Sequence, residues 1–335
     1  MNFTLDIYNF RLFDHSTFNF NNSIVLINGK NKSGKSSILE SLFILKTGRS
    51  YRANSLNYCI KNGEKFFSIE LKSDINEKFI YNDQSNKSYF INDKKEKPKI
   101  VNPFIYILYN KNIFNFIFFR DFRRKILDEL ISNIDQTYFF KLLNYKKLCE
   151  KKKEIIYSTI DLKMKIKLYE QIVKNIADYT GYIIEKRNEI IDKCKQFLSN
   201  FTNYNIEYNS KFLNFSIENI TKIYLDSFTN EIEQKRYIGP HNDYYNLFDK
   251  YKNLIESGAN SDFYNFYFYL HLFFILTNKK DKNIYPIILF DDFFLPLDLS
   301  SINNILSFFD EKDFLLIAQH ERFDIKNKSF DIITL

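Results

Sequence analysis

Eight consecutive residues near the start of the chain match the phosphate-loop pattern G-x-x-x-x-G-K-[ST]. They are Gly29, Lys30, Asn31, Lys32, Ser33, Gly34, Lys35 and Ser36. A short buried β run, Ser23–Asn28, precedes them, and apolar residues at helical spacing continue from Ser36 to Leu45. This order of strand, tight loop and helix is the context in which the pattern forms a phosphate cradle. The chain has only 7 glycines, so two of them at the required positions argue against a chance match.

The residue types in this loop predict a site for a nucleoside triphosphate and its magnesium ion. The two glycines let the backbone turn tightly enough for successive N–H groups to point at a phosphate. Lys35 is predicted to reach the β- and γ-phosphates, and the Ser36 hydroxyl is predicted to hold Mg²⁺. The next helix presents its positive N-terminal end, which includes Ser37, to the same anion.

Two adjacent acids near the other end of the chain complete the predicted site. Ile287–Phe290 are four apolar residues in a row, and Asp291 and Asp292 come directly after them. We expect Asp291 to hold the magnesium shell, and Asp292 to orient or deprotonate the attacking water. The alternative is a strand that merely stops at a charged turn. The long stretch of chain between the loop and the acids is natural if a lobe interrupts the sheet.

Hydropathy patterns predict strands at both ends of the chain and helices between them. Residues 112–200 have apolar positions spaced by three and four, which predicts a helical segment about 90 residues long. Lys94–Lys99 is charged and carries a proline, so we expect a break there. The predicted strands are Thr4–Phe10, Ser23–Asn28, three short runs of a meander between residues 64 and 100, Phe104–Tyr109, Tyr204–Glu207, Phe212–Ile217, Ile284–Phe290 and Phe314–Ala318.

These patterns predict an α/β sheet domain that is built from both ends of the chain. The predicted division is residues 1–110 for the first part of the sheet domain, 111–202 for an inserted helical lobe, and 203–335 for the second part. The net charge of +7 suits a polyanionic partner. It is weak evidence for DNA, because lysine carries most of it and AT-rich codon usage inflates lysine.

Composition also predicts where the protein resides. The three cysteines, Cys59, Cys149 and Cys194, are odd in number and lack metal-ligand spacing, so we expect reduced thiols. The N-terminus lacks the basic segment and long apolar stretch of a signal peptide. No apolar run approaches the roughly 20 residues that span a bilayer. We therefore expect a cytoplasmic protein without a membrane partner.

Several segments together resemble one family, the RecF DNA repair proteins, which belong with the SMC and Rad50 type of ATPase head. The most specific is Thr47–Arg52 (TGRSYR), which with Ile38–Ser41 is similar to the family's SxLEAixxLxxGRSFR. Phosphate-loop proteins in general do not carry this segment. The other similar segments are Tyr8–Phe13 (family FRNy), Arg123–Asp128 (RRxfLD), Gly239–Asp243 (GPHRDD) and Asp291–Asp298 (DDxxSELD).

The resemblance implies the fold of an ABC-type ATPase head, with a mixed sheet, flanking helices, a β-meander and an inserted helical lobe. It implies ATP and Mg²⁺ as cofactors, with Arg11 of the opening segment joining the nucleotide site. His320 stands where relatives of this head place a switch histidine that senses the γ-phosphate. Asp298 stands in the D-loop, the loop that comes after the acidic pair.

For function, the resemblance implies an ATP-binding protein of DNA replication and recombinational repair that acts after DNA damage and in the SOS response. It implies binding to single-stranded and gapped or junction DNA, with RecO and RecR as partners that help to load RecA. ATP is implied to bring two heads together as a homodimer, each nucleotide lying between one phosphate loop and the other subunit's signature motif. Hydrolysis is implied to be slow, a weak DNA-dependent ATPase activity at most.

Two arginines are candidates for contacts with the DNA backbone. Arg123 and Arg124 stand out in a chain in which lysine dominates, and a guanidinium binds phosphate in a bidentate manner that lysine cannot match. The alternative is a structural salt bridge to Asp128 or Glu129 on the same helix.

Three positions depart from the family pattern. Lys32 replaces a glycine in the middle of the phosphate loop, and Leu295 replaces the usual D-loop serine. The family signature, SxGQQR, falls near Ser257–Asp262, where only a Ser-Gly pair remains. The signature and the D-loop act in trans on a partner's nucleotide. We therefore expect ATP binding to persist while ATP-dependent dimerisation and hydrolysis are weakened.

Other functions also use a phosphate loop. A nucleotide-binding scaffold for replication and repair partners needs no effective ATPase activity. A transporter-type ABC ATPase needs a clean LSGGQ motif and a coupling surface for a membrane partner, and the sequence shows neither. A small-molecule kinase needs an arginine-rich lid and a shorter chain. The scaffold is therefore the main alternative.

Overall fold

The computed structural model describes residues 3–96, 105–249, 260–282, 285–320 and 330–335. Its contacts divide the chain into two compact units. The first, the sheet unit, combines Met1–Asn112 with Ile275–Leu335, so both ends of the chain build it. The second, the helical unit, is the continuous segment Ile113–Phe274. Within the described ranges, no helix is both long and apolar enough to cross a membrane.

The described residues form both strands and helices. The strands are β1 (Phe3–Phe10), β2 (Phe13–Phe20), β3 (Ile24–Asn28), β4 (Phe66–Lys72), β5 (Glu77–Asn82), β6 (Lys87–Ile91), β7 (Lys94–Glu96), β8 (Ile105–Tyr109), β9 (Asn205–Asn209), β10 (Tyr244–Phe248), β11 (Ile287–Asp291), β12 (Phe314–Gln319) and β13 (Asp331–Thr334). The helices are α1 (Lys35–Thr47), α2 (Asn110–Phe118), α3 (Arg120–Ile134), α4 (Gln136–Tyr157), α5 (Leu162–Ser199), α6 (Ile217–Gln234), α7 (Asn260–Lys282) and α8 (Leu299–Ser307).

Six strands of the sheet unit form an antiparallel sheet in the order β2-β1-β4-β5-β6-β7. Successive side chains point to opposite faces, and the inward pairs, such as Ile7 opposite Ile69, are fully buried. The predicted meander is confirmed. The predicted break at Lys94–Lys99 is wrong for Lys94–Glu96, because these residues pair with β6 as an exposed edge strand whose charges suit that position. Residues 97–99 lie outside the described residues.

Five strands form a parallel sheet in the order β13-β3-β12-β11-β8. The apolar runs of β3, β8, β11 and β12 fit strands that are covered on both faces, and Leu289 pairs with both Ile107 and Leu316. The predicted strands Ser23–Asn28, Phe104–Tyr109, Ile284–Phe290 and Phe314–Ala318 are confirmed within the described residues as β3, β8, β11 and β12. Since all five strands are parallel, their carboxyl ends lie at one edge of the sheet.

Helix α1 connects the phosphate loop to the core of the sheet unit. Gly34 precedes the helix, and Gly48 ends it with φ 67° and a bond from its N–H to the Ile44 carbonyl oxygen at 2.7 Å. This left-handed glycine confirms the predicted helix stop. Residues 37–45 are all buried, so every face of this part of the helix is covered by the rest of the sheet unit.

The helical unit confirms the predicted helical segment and corrects a strand predicted after it. Helices α2 to α5 cover residues 110–199 with short breaks. The predicted strand Phe212–Ile217 is wrong: these residues form a turn that leads into α6, and the Ser216 side chain caps the helix by accepting from the Asn219 N–H. A short apolar run does not reveal its structure by periodicity alone. The predicted strand Tyr204–Glu207 is confirmed as β9, which pairs with β10.

The compact helical unit extends beyond residue 202, where the sequence places the end of the lobe. The rings of Tyr169 in α5 and Phe228 in α6 stack with their centroids 4.0 Å apart. Lys152 in α4 and Glu231 in α6 form a buried ion pair. Because α6 shares a core with α4 and α5, residues 203–274 belong with the helices.

One buried arginine joins two family-like segments inside the helical unit. Arg187 is 1% exposed. Its Nε and Nη2 donate to the Asp128 carboxylate at 2.9 and 3.0 Å, and its Nη1 donates to the Asp243 carboxylate at 3.0 Å. The segments that contain these acids, RRKILD and GPHND, therefore meet in the interior. There the carboxylates of Asp128 and Asp243 neutralise the Arg187 guanidinium, whose charge would be costly to bury alone.

The structure contradicts the proposed contact between Arg123 and DNA. Arg123 is 1% exposed, and its Nη1 donates to the carbonyl oxygens of Phe116 and Ile117 at 3.0 and 2.6 Å. The arginine thereby satisfies carbonyl groups at the end of α2, which have no partner within their own helix. The predicted salt bridge from Arg123 to Asp128 is also wrong, because Arg187 is the arginine that binds Asp128.

Candidate nucleotide-binding site

The carboxyl edge of the parallel sheet gathers the predicted phosphate loop, acids and histidine. The loop comes after β3, Asp291 is the last residue of β11, and His320 comes directly after β12. Strand β12 lies between β3 and β11, and it pairs Gln319 with Asn28. Residues that are far apart in the sequence thereby reach the edge at which α/β sheets usually bind ligands.

The phosphate loop leaves no room for side chains at its two glycines. A Cβ on Gly29 would lie 2.6 Å from Ser33 Oγ, and one on Gly34 would lie 2.6 Å from the ring of Phe13. Gly34 also has φ 111°, which residues with a side chain rarely adopt. The Ser33 hydroxyl oxygen is buried and has no hydrogen-bond partner among the described residues. A tight glycine loop with an unpaired buried hydroxyl fits a phosphate group.

The polar side chains of the loop lie in different surroundings. Lys35 is buried, and its Nζ donates to the carbonyl oxygens of Gly29 and Lys30 at 2.8 and 2.9 Å. Its ammonium group is therefore held within the loop that it is predicted to serve. The side chains of Lys30, Asn31 and Lys32 are exposed. Among the three lysines of the loop, Lys35 is therefore the one whose side chain is held in position by backbone groups.

The two predicted magnesium ligands lie in direct contact. Ser36 Oγ donates a hydrogen bond to Asp291 Oδ1 over 2.8 Å, although 255 positions separate them in the sequence. The Tyr51 hydroxyl donates to Oδ2 of the same carboxylate, also over 2.8 Å. Hydroxyl and carboxylate oxygens are the hard ligands that Mg²⁺ prefers. The pair therefore fits a magnesium ion that is shared with nucleotide phosphates.

The Asp291 carboxyl group is fully buried. Burial raises its pKa above the usual value, and the hydrogen bonds from Ser36 and Tyr51 partly offset this shift. Burial and the adjacent Asp291 carboxylate raise the pKa of Tyr51 well above its ordinary value, so the tyrosine is a neutral donor at pH 7. A cation beside Asp291 would favour the charged form of the carboxyl group.

Asp292 and His320, the predicted catalytic residues, lie at the same edge of the sheet. Asp292 is half-buried, and its backbone N–H donates to the Ala318 carbonyl oxygen at 3.0 Å. Its φ of 51° is uncommon for a residue with a side chain. His320 is exposed. The role of Asp292 in orienting water and that of His320 in sensing the γ-phosphate stay predictions.

Arg11, which is predicted to join the nucleotide site, is bound to a buried glutamate of α1. Its Nε and Nη2 donate to the Glu40 carboxylate at 2.9 and 2.7 Å, and its Nη1 donates to the Tyr58 carbonyl oxygen at 2.8 Å. Burial alone would lower the pKa of Arg11, but the hydrogen bond and charge of Glu40 raise it above its ordinary value. Contact of Arg11 with a nucleotide stays a prediction.

Glu40 is an important residue that sequence reasoning missed. It is fully buried and also accepts hydrogen bonds from Ser50 Oγ at 2.5 Å and from Arg52 Nη1 at 3.3 Å. It thereby ties the family-like segment Thr47–Arg52 to the helix that begins at the phosphate loop. The available signal was a single acid among the apolar residues of Ile38–Leu45.

The predicted signature segment is Ser257–Asp262, of which residues 257–259 lie outside the described residues. Helix α7 begins at Asn260. Asp262, in the first turn of that helix, accepts a hydrogen bond from the Tyr204 hydroxyl at 2.8 Å. The acid that stands in the family's signature is therefore bound within the helical unit itself.

The predicted D-loop lies between β11 and α8. Leu295, which replaces the family's serine, is 47% exposed. Asp298 caps α8 by accepting a hydrogen bond from the Ser301 N–H at 2.7 Å. The loop thus exposes an apolar side chain at the position where the family pattern has a hydroxyl.

Lys32 replaces a glycine of the family pattern and has the left-handed backbone conformation that glycine favours, with φ 69°. Relative to glycine, a residue with a Cβ is destabilised by about 1–2 kcal/mol in this conformation. Glycine loses roughly 0.5–1 kcal/mol more chain entropy on folding, which offsets part of that difference. We expect Lys32→Gly to be more stable to urea unfolding than Lys32→Ala by about 0.5–1 kcal/mol. Both variants remove the same charge, so equal free energies of unfolding would contradict the prediction.

Comparison with curated proteins finds relatives that are named DNA replication and repair protein RecF. No protein-family model matches the chain. A DNA replication and repair protein RecF from Caldanaerobacter subterraneus subsp. tengcongensis is 31% identical over 202 residues, which are 58% of this chain and 56% of the relative. RecF from Carboxydothermus hydrogenoformans is 24% identical over 351 residues, which cover 96% of this chain and 95% of the relative. The chain thus spans a little over half of the first relative and nearly all of the second.

Comparison with solved structures gives the same fold. A structure described as the recombination mediator protein RecF-ATP has a TM-score of 0.82 and 23% sequence identity, covering 97% of this chain and 94% of that one. An Smc head domain from Pyrococcus furiosus has a TM-score of 0.52 and 14% identity, with 95% and 89% covered. The predicted fold of an ABC-type ATPase head is confirmed.

Proposed function

Because the chain belongs to the RecF family of ABC-type ATPase heads, we propose that it is an ATP- and Mg²⁺-binding protein of DNA replication and recombinational repair. It acts in the cytoplasm on single-stranded DNA and on gapped or junction DNA. With RecO and RecR it helps to load RecA after DNA damage, including in the SOS response. The naming of its relatives as RecF supports this proposal.

The contact between Ser36 and Asp291 is the observation that carries the nucleotide part of the proposal. It joins a phosphate loop and an acidic strand end that the sequence places 255 positions apart. In the proposed site, the loop N–H groups and Lys35 hold the phosphates, while Ser36 and Asp291 hold magnesium. Bound magnesium neutralises part of the phosphate charge. Asp292 orients or deprotonates the attacking water, and His320 senses the γ-phosphate.

The trans-acting parts of the site support a weakened catalytic cycle. Asp262 is bound to Tyr204, and Leu295 offers no hydrogen-bond donor where the family pattern has serine. We propose that ATP binding persists while ATP-dependent homodimerisation is weak and DNA-dependent hydrolysis is slow. A tight ATP-dependent dimer in light scattering, together with clear turnover, would overturn this part.

The second candidate is a nucleotide-binding scaffold that docks replication and repair partners without effective ATPase activity. The same two departures favour it, because both affect groups that act on a partner's nucleotide. The two functions differ in whether ATP controls DNA binding. A switch requires that dependence, whereas a scaffold does not.

Binding to a gapped duplex, with and without ATP and Mg²⁺, tests the proposed function. We expect ATP to tighten DNA binding, and the logarithm of the affinity to fall linearly with the logarithm of salt concentration as phosphate contacts release counterions. An uninterrupted duplex of the same length is the control. Equal affinity with and without ATP would favour the scaffold, and no binding to the gapped duplex at low salt would overturn the DNA-binding role.

A further inference from the structure

The acidic end of β11 has a second hydroxyl partner to which the predicted nucleotide site assigns no role. Tyr51 Oη donates to Asp291 Oδ2 at 2.8 Å, while Ser36 Oγ donates to Oδ1 at 2.8 Å. Each carboxylate oxygen therefore has one hydroxyl donor.

The surroundings of Tyr51 hold its hydroxyl in place. Its ring packs edge-on against Phe43 and Tyr109, with centroids 5.4 and 5.2 Å away. Its oxygen also lies 3.4 Å from the Ser36 carbonyl oxygen. Two aromatic contacts and two polar contacts leave the side chain little freedom to leave Asp291.

A carboxylate that is a metal ligand needs a restraint on its orientation. The terminal torsion of an aspartate is broad and roughly two-fold, so one hydrogen bond leaves the plane of the carboxylate loosely defined. A second donor on the other oxygen fixes that plane. Groups that orient metal ligands in this way typically change metal affinity about 10- to 100-fold when they are removed.

We propose that Tyr51 is a positioning residue for magnesium: its hydroxyl holds Asp291 by Oδ2 and so keeps Oδ1 directed at Ser36, where the ion binds with ATP. This inference rests on the proposed ATP and magnesium binding. Tyr51 itself contributes neither a ligand to the ion nor a contact with the phosphates. Its effect is on the magnesium concentration that tight ATP binding requires.

The test is the variant Tyr51→Phe, which keeps the ring contacts and removes only the hydroxyl. ATP binding to the full chain is measured by calorimetry in EDTA and across a magnesium series. We expect the magnesium concentration for half-maximal enhancement of ATP binding to rise about tenfold, near the lower end of the range for such residues. ATP affinity in EDTA should stay that of the unmodified chain.

Tyr81→Phe is the matched control, since it also removes a buried hydroxyl of the sheet unit, one that donates to Asn57 at 2.7 Å. It should lower thermal stability about as much as Tyr51→Phe and leave the magnesium midpoint unchanged. An unchanged midpoint in Tyr51→Phe would overturn the inference, as would equal weakening with and without magnesium. If the unmodified chain failed to bind ATP at all, the proposed function would fall, and the inference with it.

Discussion

Replacing Lys35 with alanine is expected to weaken ATP binding by about 100-fold or more. The ammonium group is buried in the phosphate loop, where the carbonyl oxygens of Gly29 and Lys30 hold it at 2.8 and 2.9 Å. In the ATP complex this ammonium pairs with the phosphates. Removing one partner of a buried charge pair typically costs roughly 2–5 kcal/mol of binding free energy, and each 1.4 kcal/mol changes the affinity by a factor of about ten. Calorimetric titration with ATP and Mg²⁺ measures the loss.

The same variant separates the two candidate functions. If ATP controls DNA binding, Lys35→Ala should bind the gapped duplex as the unmodified chain does without ATP. Lys78→Ala is the control, because Lys78 lies on β5 in a partly exposed pair with Glu70. If Lys35→Ala and the unmodified chain bound ATP equally well, with micromolar or tighter affinity, the assignment of the loop as a phosphate-binding site would be contradicted.

Replacing Glu40 with glutamine is expected to reduce the free energy of unfolding of the sheet unit by about 2–3 kcal/mol. Glu40 is fully buried and binds Arg11 and Arg52, so the change leaves two guanidinium groups without their carboxylate. Breaking a fully buried ion pair costs about 3–5 kcal/mol. The expected loss is smaller because the arginine side chains are 24% and 31% exposed and water partly screens them.

Urea unfolding measures this loss, and the partly exposed acid Glu70 provides the comparison. Glu70→Gln breaks a pair with Lys78 in which both side chains are more than a quarter exposed, so we expect a change within about 0.5 kcal/mol. A loss below about 1 kcal/mol in Glu40→Gln would show that the glutamate does not organise the loop segment. A changed urea slope would indicate a change in the compactness of the denatured or native state, or a departure from two-state unfolding.

The meeting of the phosphate loop and the acidic strand end could be predicted because both motifs are local. The phosphate loop is eight adjacent residues, and the acids adjoin a single strand, so each motif indicates its own local structure. The parallel topology then brings both to one edge of the sheet. Ser36 and Asp291 meet there as predicted.

The partners of the arginines could not be predicted in this way. Arg11 and Arg123 each occupy family-like segments, and both motifs and charge suggested phosphate contacts. In the structure one binds Glu40 and the other binds backbone carbonyl groups of α2. Such pairings depend on which elements pack together, and spacing along the chain does not indicate that. The missed helix α6 has a related cause, because its short apolar lead-in is equally typical of a strand.

The buried Arg187 has a consequence for how the helical unit is made during synthesis. Its carboxylate partners lie 59 residues before it and 56 residues after it in the chain. A ribosome-bound fragment that ends at residue 202 would therefore hold a guanidinium with half of its anionic partners still untranslated. Ordering of this interior has to wait for Asp243 to emerge, which makes closure of the helical unit a late step that depends on contacts distant in sequence.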